Sequence, residues 1–181
     1  LLRLFRDRTT FTESRLSPEG LRLMLVEAAK TGAVQPRAGE IASRAIEFGV
    51  LKASEVMVPR NQVVMLDTNL SLEENLDIAK EAGHTRYPLC DRELDQVVGI
   101  VDIRLVLFQL RQGPLDLKSY ATAVVYLPEM MTAERLLTEF RVRSIAMAVL
   151  VDEYGGTSGI ISVSDVVAAV TGELTQETEL D

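Results

Sequence analysis

The feature that most constrains the fold is an internal repeat in the C-terminal two thirds of the chain. The run VVMLD at 63–67 aligns with VVYLP at 124–128, and LSLEENL at 70–76 aligns with MTAERLL at 131–137, both at an offset of 61 residues (124 − 63 and 131 − 70). The run GIV at 99–101 recurs as GII at 159–161, at an offset of 60 (159 − 99). Such a spacing is typical of duplicated supersecondary units that bury their apolar faces on each other. The sequence therefore predicts a pseudo-symmetric pair of units with clefts between its halves, where small molecules tend to bind.

Each repeat has the pattern strand, helix, strand, strand, helix. In the first repeat we predict strands at 63–66, 86–90 and 96–101, one helix from Ser71 and another from Asp102 to about Gln112, closed by Gly113 and Pro114. In the second repeat we predict strands at 124–127, 145–151 and 159–162 and helices at 132–143 and 163–170. The expected fold class is α+β, with two tandem βαββα motifs forming a pseudo-two-fold pair.

Two linker helices are predicted before the repeats. The first begins at Ser17 and Pro18 and ends at Gly32, and the second begins at Pro36 and ends at Gly49, because Ser and Pro favour helix starts and Gly favours helix ends. The expected organisation is therefore linker helices over residues 1–50, one motif over 51–115, and a second motif over 116–181 that includes an acidic C-terminal tail.

Composition and charge narrow the function classes. Of the 181 residues 47% are hydrophobic and 25% charged, as in ordinary globular proteins, and no apolar run is long enough to cross a bilayer. Residues 1–60 hold 10 Lys/Arg and 7 Asp/Glu, a net charge of +3, whereas residues 61–181 hold 9 and 20, a net charge of −11. An acidic body argues against nucleic acid as a partner. The single Cys90 lies in an apolar run and is expected to be a buried structural thiol.

The basic start of the chain has two interpretations. Arg3, Arg6 and Arg8 flank apolar residues, which fits either a solvated, frayed end or a segment next to a membrane span, since cytoplasmic flanks collect Lys and Arg. The absence of an initial Met suggests a fragment of a longer protein.

The junction of the last strand and last helix in each repeat could bind an anion, because a helix N-terminus presents free N–H groups and a positive dipole end. In the second repeat Ser162 occupies the N-cap and Asp165 lies one turn later, where its carboxylate could accept both hydroxyls of a ribose. In the first repeat the equivalent residues are Asp102 and Leu105. The spacing of Ser162 and Asp165 also describes a plain capping arrangement, so a structural role stays open.

A second candidate element is the run GHTRYPL at 83–89. It combines the hydroxyl of Thr85, the guanidinium of Arg86, the aromatic ring of Tyr87 and the rigid Pro88, groups that suit a stacked base and an anion. The equivalent run in the second repeat, RSIAMAV at 143–149, keeps little of this. The only histidine, His84, is expected on the surface or at the edge of a site.

The glycine-rich run DEYGGTSG at 152–159 is interpreted as a turn. A phosphate-binding loop would need a helix directly after the glycines, and here a strand follows.

Three runs together resemble a known family. ASEVMVPR at 53–60, GHTRYPL at 83–89 and, above all, VDEYGGTSGII at 151–161 closely resemble the tandem CBS domains of the CorC/HlyC (CNNM-like) family of magnesium transporters. The resemblance covers about residues 50–173 and extends to the linker helices. It implies a cytosolic regulatory module that follows a membrane domain, binds an adenine nucleotide between its halves and regulates magnesium export.

The resemblance also implies a set of site residues and partners. The implied ligand is ATP, with Mg²⁺ held by the nucleotide phosphates rather than by a dedicated protein metal site. The implied partners are the N-terminal transmembrane domain of the same full-length protein and a second copy in a homodimer, on the cytoplasmic side of the inner membrane. The residues that match the family's nucleotide site are Val58, Arg60, Thr85, Arg86, Tyr87, Pro88, Ser162 and Asp165.

The mirror-related cleft departs from the family pattern on both sides. Asp102 and Leu105 replace the Ser and Asp, and Ser144 and Ile145 replace the base-contacting residues, so we expect one competent site per chain. We expect the homodimer interface to be formed by apolar residues on the last helix of each repeat. These residues are Ile103, Val106, Leu107, Val166, Val167 and Val170.

Two alternatives complete the sequence interpretation. One is a CBS pair that senses AMP or another adenosyl ligand and is not coupled to ion transport. The other is an enzyme such as a nucleotide hydrolase, which would need a general base and a phosphate loop that the sequence does not offer. We therefore expect a binding module without catalytic residues.

Overall fold

The computed structural model describes residues 17–110 and 115–172. It divides into two compact units, Leu1–Ile46 and Glu47–Asp181. The first unit contains α1 (Pro18–Lys30), where the Ser17 hydroxyl accepts a hydrogen bond from the N–H of Gly20 at 3.1 Å, and most of α2 (Pro36–Phe48). Both helices begin where the sequence predicts. The basic residues Arg3, Arg6 and Arg8 lie outside the described part of the chain.

The second unit holds both repeats as two four-stranded sheets with helices packed on them. Within the described residues the connections contain the short 3₁₀ helices Ala53–Glu55, Arg60–Gln62 and Leu117–Tyr120. The strands and remaining helices follow in the order β1 (Val58–Pro59), β2 (Leu66–Asp67), α3 (Leu72–Ala82), β3 (Arg86–Asp91), β4 (Glu93–Asp102), α4 (Ile103–Gln109), β5 (Ala121–Thr122), β6 (Tyr126–Pro128), α5 (Ala133–Arg143), β7 (Met147–Val151), β8 (Thr157–Ser162) and α6 (Val163–Thr171).

The two sheets have the same topology. One has the order β2-β3-β4-β5 and the other β6-β7-β8-β1; in each, the first pair of strands is parallel and the other two pairs are antiparallel. This confirms the α+β class and the predicted order of elements in each repeat.

Several predicted boundaries were wrong. The strands expected at 63–66 and 124–127 are only Leu66–Asp67 and Tyr126–Pro128. β4 begins at Glu93 rather than at residue 96, because a single residue, Arg92 with a φ of 68°, connects it to β3. The turn after Asp152 is present, and the Asp152 carboxylate accepts hydrogen bonds from the N–H groups of Tyr154 and Gly156, both at 2.8 Å. The predicted helix end at Gln112–Pro114 and the acidic tail lie outside the described residues.

The two repeats exchange their leading strands. β1, which precedes the first repeat, pairs with β8 of the second repeat through Val58 opposite Ile160. β5, which precedes the second repeat, pairs with β4 of the first through Val101 opposite Ala121. The preceding segments are exchanged as well, because Ala53 is buried in the core of the second repeat and Leu117 in the core of the first. The sequence pattern does not predict this exchange, since a two-residue strand has no periodicity.

Cys90 is buried, as predicted. It lies on β3 with no exposed surface. Burial raises the pKa of the Cys90 thiol to about 11, so the group is a neutral part of the core at physiological pH.

Two glycines make the strand exchange possible. Gly99 on β4 and Gly159 on β8 are equivalent in the repeat, and each faces the strand lent by the other repeat. A Cβ added at Gly99 would lie 2.5 Å from the Cβ of Ala121. One added at Gly159 would overlap the carbonyl oxygen of Val58 and lie 3.2 Å from the Cα of Pro59. The closest atoms are backbone at Gly159, and at Gly99 they are the Ala121 Cβ and the backbone behind it; neither can move aside as the end of a flexible side chain can.

We predict that Gly159→Ala lowers the free energy of unfolding by about 1–3 kcal/mol, because the added methyl forces β1 away from β8. Gly49→Ala is the matched control: its Cβ would have only the Glu134 carboxylate at 4.0 Å, so we expect a change within about 1 kcal/mol. Chemical denaturation of both variants measures the difference. Equal unfolding midpoints would show that the strand exchange does not depend on this glycine.

Candidate functional site

The N-terminus of α6 is closed by a reciprocal cap. Ser162 is the N-cap, and its hydroxyl accepts from the N–H of Asp165 at 3.3 Å. The Ser162 N–H and Oγ–H both donate to Oδ2 of Asp165, each at 2.7 Å. The plain capping role that the sequence left open is therefore present. Among the described residues Oδ1 of Asp165 has no hydrogen-bond partner, so one carboxylate oxygen remains for a ligand.

The loop between α3 and β3 is fixed by hydrogen bonds to the rest of the first repeat. Gly83 ends α3 in the left-handed conformation, with a φ of 69°. The Tyr87 hydroxyl donates to the carbonyl of Ala79 at 2.9 Å and accepts from the N–H of His84 at 2.7 Å. The carbonyl of Thr85 accepts from the N–H of Ile103 at 3.0 Å. These bonds fix the backbone of residues 83–86 against the first repeat.

The cap of α6 and the 83–86 loop face each other across a cleft between the repeats, which we call the first cleft. Its volume is about 300 Å³, within the range of small-molecule sites. Five of the predicted site residues line it: Val58, Thr85, Arg86, Ser162 and Asp165. Strand exchange explains why Val58 is there, because β1 lies beside Ile160 at the end of β8.

Tyr87 and Pro88 do not line the first cleft. Tyr87 has no exposed surface and Pro88 is fully buried. β3 is an inner strand between β2 and β4, and its four residues 87–90 are all buried, so both of its faces are covered. Burial also raises the pKa of the Tyr87 hydroxyl. The expectation that Tyr87 offers an aromatic face to a base was therefore wrong; its hydroxyl instead positions the loop that carries His84 and Thr85.

Arg60 is also outside the first cleft. Its guanidinium forms a two-point ion pair with Asp95 of β4, with N–O distances of 2.8 and 2.6 Å, and donates to the carbonyl of Thr157 at 3.3 Å. The N–H of Thr157 donates to the same Asp95 carboxylate at 2.9 Å. Arg60 and Asp95 thus join the leading segment, the first repeat and the second repeat, which is a structural role that its sequence position did not reveal.

Much of the wall of the first cleft is formed by residues that were not predicted as site residues. His84, expected on the surface or at a site edge, lines it. Val63 and Val64 line it as well, because β2 begins only at Leu66 and leaves them outside the sheet. Their apolar character gave no separate signal, since it was explained by the predicted strand. The other lining residues that were missed are Gln62, Met147, Ile160 and Ser164.

A second cleft lies on the mirror-related side. Its volume is about 510 Å³, and it is lined by both pairs of residues that depart from the family pattern, Asp102 with Leu105 and Ser144 with Ile145. Asp102 caps α4 by accepting from the N–H of Arg104 at 3.1 Å. The hydrogen bonds from the Arg104 side chain, with desolvation opposing them, hold the pKa of Asp102 below its ordinary value. A fixed anion therefore replaces the hydroxyl that Ser162 brings to the first cleft.

The described residues contain no cluster of three or more His, Cys, Asp and Glu side chains that could hold a metal ion. No helix within residues 17–110 and 115–172 combines the length and apolarity needed to span a bilayer.

Comparison with known proteins identifies the repeats. The sequence model of the CBS domain matches residues 53–111 and again residues 117–172. The chain belongs to the CBS-domain family. The two βαββα repeats are thus a tandem CBS pair, and the exchanged strands join its two halves.

The relatives of this CBS pair confirm the resemblance to the CorC family. The magnesium and cobalt efflux protein CorC of Salmonella typhimurium is 34% identical over 130 residues, which are 70% of this chain and 44% of that protein. The UPF0053 protein YhdP of Bacillus subtilis is 30% identical over 178 residues, 95% of this chain and 40% of that protein. The chain therefore spans about two fifths of the length of the curated relatives it matches.

A solved structure has the same fold. It is the CBS domain of the bacterial CNNM/CorC family Mg²⁺ transporter in complex with ATP, 30% identical, with a TM-score of 0.70 over 77% of this chain and 100% of that chain.

We predict that Asp95→Asn destabilises the CBS pair at neutral pH and that the difference disappears in acid. The hydrogen bond from Arg60 lowers the pKa of Asp95 from 3.8 to about 2. A carboxylate with a lowered pKa stabilises the fold above its unfolded pKa and loses that contribution as pH falls through its folded pKa. The gap in melting temperature between the two proteins should therefore close as pH falls from 4 to 2. Because both side chains are partly exposed, the effect is small and weakens with salt. A gap that stays constant down to pH 2 would contradict this.

Proposed function

We propose that this CBS pair binds ATP in the first cleft, as a complex with Mg²⁺ held by the phosphates, and regulates magnesium transport by a membrane domain of the same protein. The observation that carries the proposal is the cleft itself, where the α6 N-terminus with Ser162 and Asp165 faces the 83–86 loop. The ATP complex of a CBS domain with the same fold supports the choice of ligand.

The cleft offers each part of a nucleotide a suitable surface. At the α6 N-terminus the N–H groups of Ser162, Val163 and Asp165 are already bonded within the protein. The N–H and hydroxyl of Ser164 have no partner among the described residues and suit phosphate, and Arg86 adds a positive charge. Oδ1 of Asp165 can accept the ribose hydroxyls while Oδ2 keeps the helix cap. The base is then left with the apolar wall formed by Val58, Val63, Val64, Met147 and Ile160. In this arrangement Tyr87, Pro88 and Arg60 do not contact the ligand. Their role is structural.

The remaining parts of the proposal concern the longer protein. A named relative is a magnesium and cobalt efflux protein more than twice as long as its match to this chain, which supports a transmembrane domain as partner. The CBS pair would then lie on the cytoplasmic side of the inner membrane, where ATP is available. We propose residues 1–50 as the linker to that domain, 51–115 as the first CBS motif and 116–181 as the second.

We predict that the chain binds one ATP and that Asp165→Ala weakens this binding by about 10- to 150-fold, as expected for loss of a hydrogen bond to a charged group. Asp165→Asn keeps an oxygen for the α6 cap and should weaken binding less. Leu105→Ala, at the equivalent position of the first repeat, should leave the affinity unchanged. Calorimetry with ATP, ADP and AMP, with and without Mg²⁺, measures each affinity and the stoichiometry. In the full-length protein, Asp165→Ala should also abolish the response of magnesium efflux to ATP.

Several outcomes would overturn the proposal. Absence of binding, together with no rise in melting temperature at saturating nucleotide, would show that the nucleotide is not the ligand. A ligand present at a hundred times its Kd adds about 2.7 kcal/mol to the free energy of unfolding, so a true ligand should raise the melting temperature. Tighter binding of AMP than of ATP would favour a sensor unrelated to transport. Equal losses from Asp165→Ala and Leu105→Ala would mean that the two clefts are not distinguished. Turnover of ATP by the chain would indicate an enzyme.

We also propose a homodimer that covers the apolar surface of α4 and α6. Half of the residues expected at this interface were wrongly assigned, because Ile103, Val106 and Val166 are buried in the cores of their own repeats. The expected residues Leu107 and Val167 are exposed, by 53 and 43%, and so are Leu105 and Phe108, by 58 and 70%, which were not predicted.

We predict that Phe108→Glu shifts the protein from dimer to monomer, because a charge would then be buried at the interface. Val142→Glu is the matched control, since Val142 is 73% exposed on α5 and outside the proposed interface. Light scattering of the three proteins, with and without ATP, gives the mass of each. A monomeric wild type under both conditions, or dissociation caused equally by both substitutions, would contradict this interface.

A further inference from the structure

Arg86 lies between the two clefts and lines both of them. It is the first residue of β3, where its backbone is paired with Asp102 at the end of β4. Arg86 and Asp165 are the only permanently charged side chains among the described residues that line the first cleft. Arg86 is therefore the one fixed cation placed there to meet the phosphates of a nucleotide.

In this structure the Arg86 guanidinium is bound elsewhere. Its Nη2 lies 3.3 Å from Oδ2 of Asp102, a carboxylate that lines the second cleft and not the first. Arg86 is about one third exposed, whereas the Asp102 side chain is 15% exposed. The partner of Arg86 is thus a fixed anion that competes with any anion in the first cleft.

Asp102 does not depend on Arg86 for neutralisation. Arg104 holds the same carboxylate more tightly, with its Nη2 2.6 Å from Oδ2 and its Nε 3.0 Å from Oδ1. If Arg86 turns to a phosphate, Asp102 keeps this two-point ion pair and its bond from the N–H of Arg104. Release of Arg86 therefore leaves no buried unpaired charge, which would otherwise be strongly unfavourable.

We propose that Asp102 is a specificity-determining residue of the first cleft, which lowers affinity for phosphate-bearing ligands by competing with them for Arg86. This inference rests on the proposed function, since it assumes a nucleotide in the first cleft. It concerns the phosphates alone, so an uncharged nucleoside should not be affected. It also links the two clefts, because the residue that sets affinity in the first belongs to the wall of the second.

The test is Asp102→Asn, measured by calorimetry with ATP and with adenosine on the purified chain. Asn is an equally good N-cap and can still accept from the N–H of Arg104, so the fold is retained. Removing the competitor should tighten ATP binding by about 2- to 5-fold, the range set by a partly exposed ion pair, and leave adenosine binding unchanged. Simple damage to the cleft would change ATP affinity in the opposite direction.

Two further variants separate the pair from a general charge effect. In an Arg86→Gln background, Asp102→Asn should give no gain, because no cation remains to be released. Glu139→Gln removes a carboxylate that pairs with Arg143 of the second cleft at 2.6 Å and should leave ATP affinity unchanged. Weaker or equal ATP binding by Asp102→Asn, an equal gain for adenosine, or a gain that persists without Arg86 would overturn the inference while the wild type still binds ATP. A wild type that binds no ATP would overturn the proposed function and this inference together.

Discussion

The close contact between each exchanged strand and a glycine is the constraint on which the rest of the structure depends. β1 crosses Gly159 and β5 crosses Gly99, at distances that leave no room for a Cβ. Because each leading strand completes the sheet of the other repeat, neither repeat has a complete sheet alone. Ala53 and Leu117 extend the same exchange into the two cores. The CBS pair should therefore unfold as one cooperative unit rather than as two independent motifs.

The first cleft is a consequence of this exchange. β1 brings Val58 beside Ile160, and the chain that follows brings residues 62–64 to the same surface. The Arg60–Asp95 ion pair and the Thr157 bonds fix that segment to both repeats. A nucleotide in the cleft would contact parts of both repeats at once. Binding of the proposed nucleotide would therefore be coupled to the relative placement of the two repeats.

The two clefts differ by a few substitutions at equivalent positions of two sheets with the same topology. Ser162 and Asp165 cap α6 with a hydroxyl and leave one carboxylate oxygen available, whereas Asp102 caps α4 with a carboxylate that is already bound by Arg104. The second cleft is the larger of the two. Our proposal that the first cleft binds the nucleotide therefore rests on the sign and availability of the charges at the two helix caps and not on cleft volume.

The sequence by itself determined the duplication, the fold class, the order of the elements in each repeat and the two ends of the first cleft. Repeat spacing and helix caps carry this information locally, so Ser162, Asp165, Thr85 and Arg86 could be found without coordinates. Only the tertiary structure decided the strand exchange, because a two-residue strand has no periodicity in the sequence. It also decided the apolar wall of the cleft, because the sequence does not distinguish a valine in a core from a valine that lines a pocket. It also decided that Tyr87 is buried, since the burial of both faces of β3 depends on the elements packed around that strand.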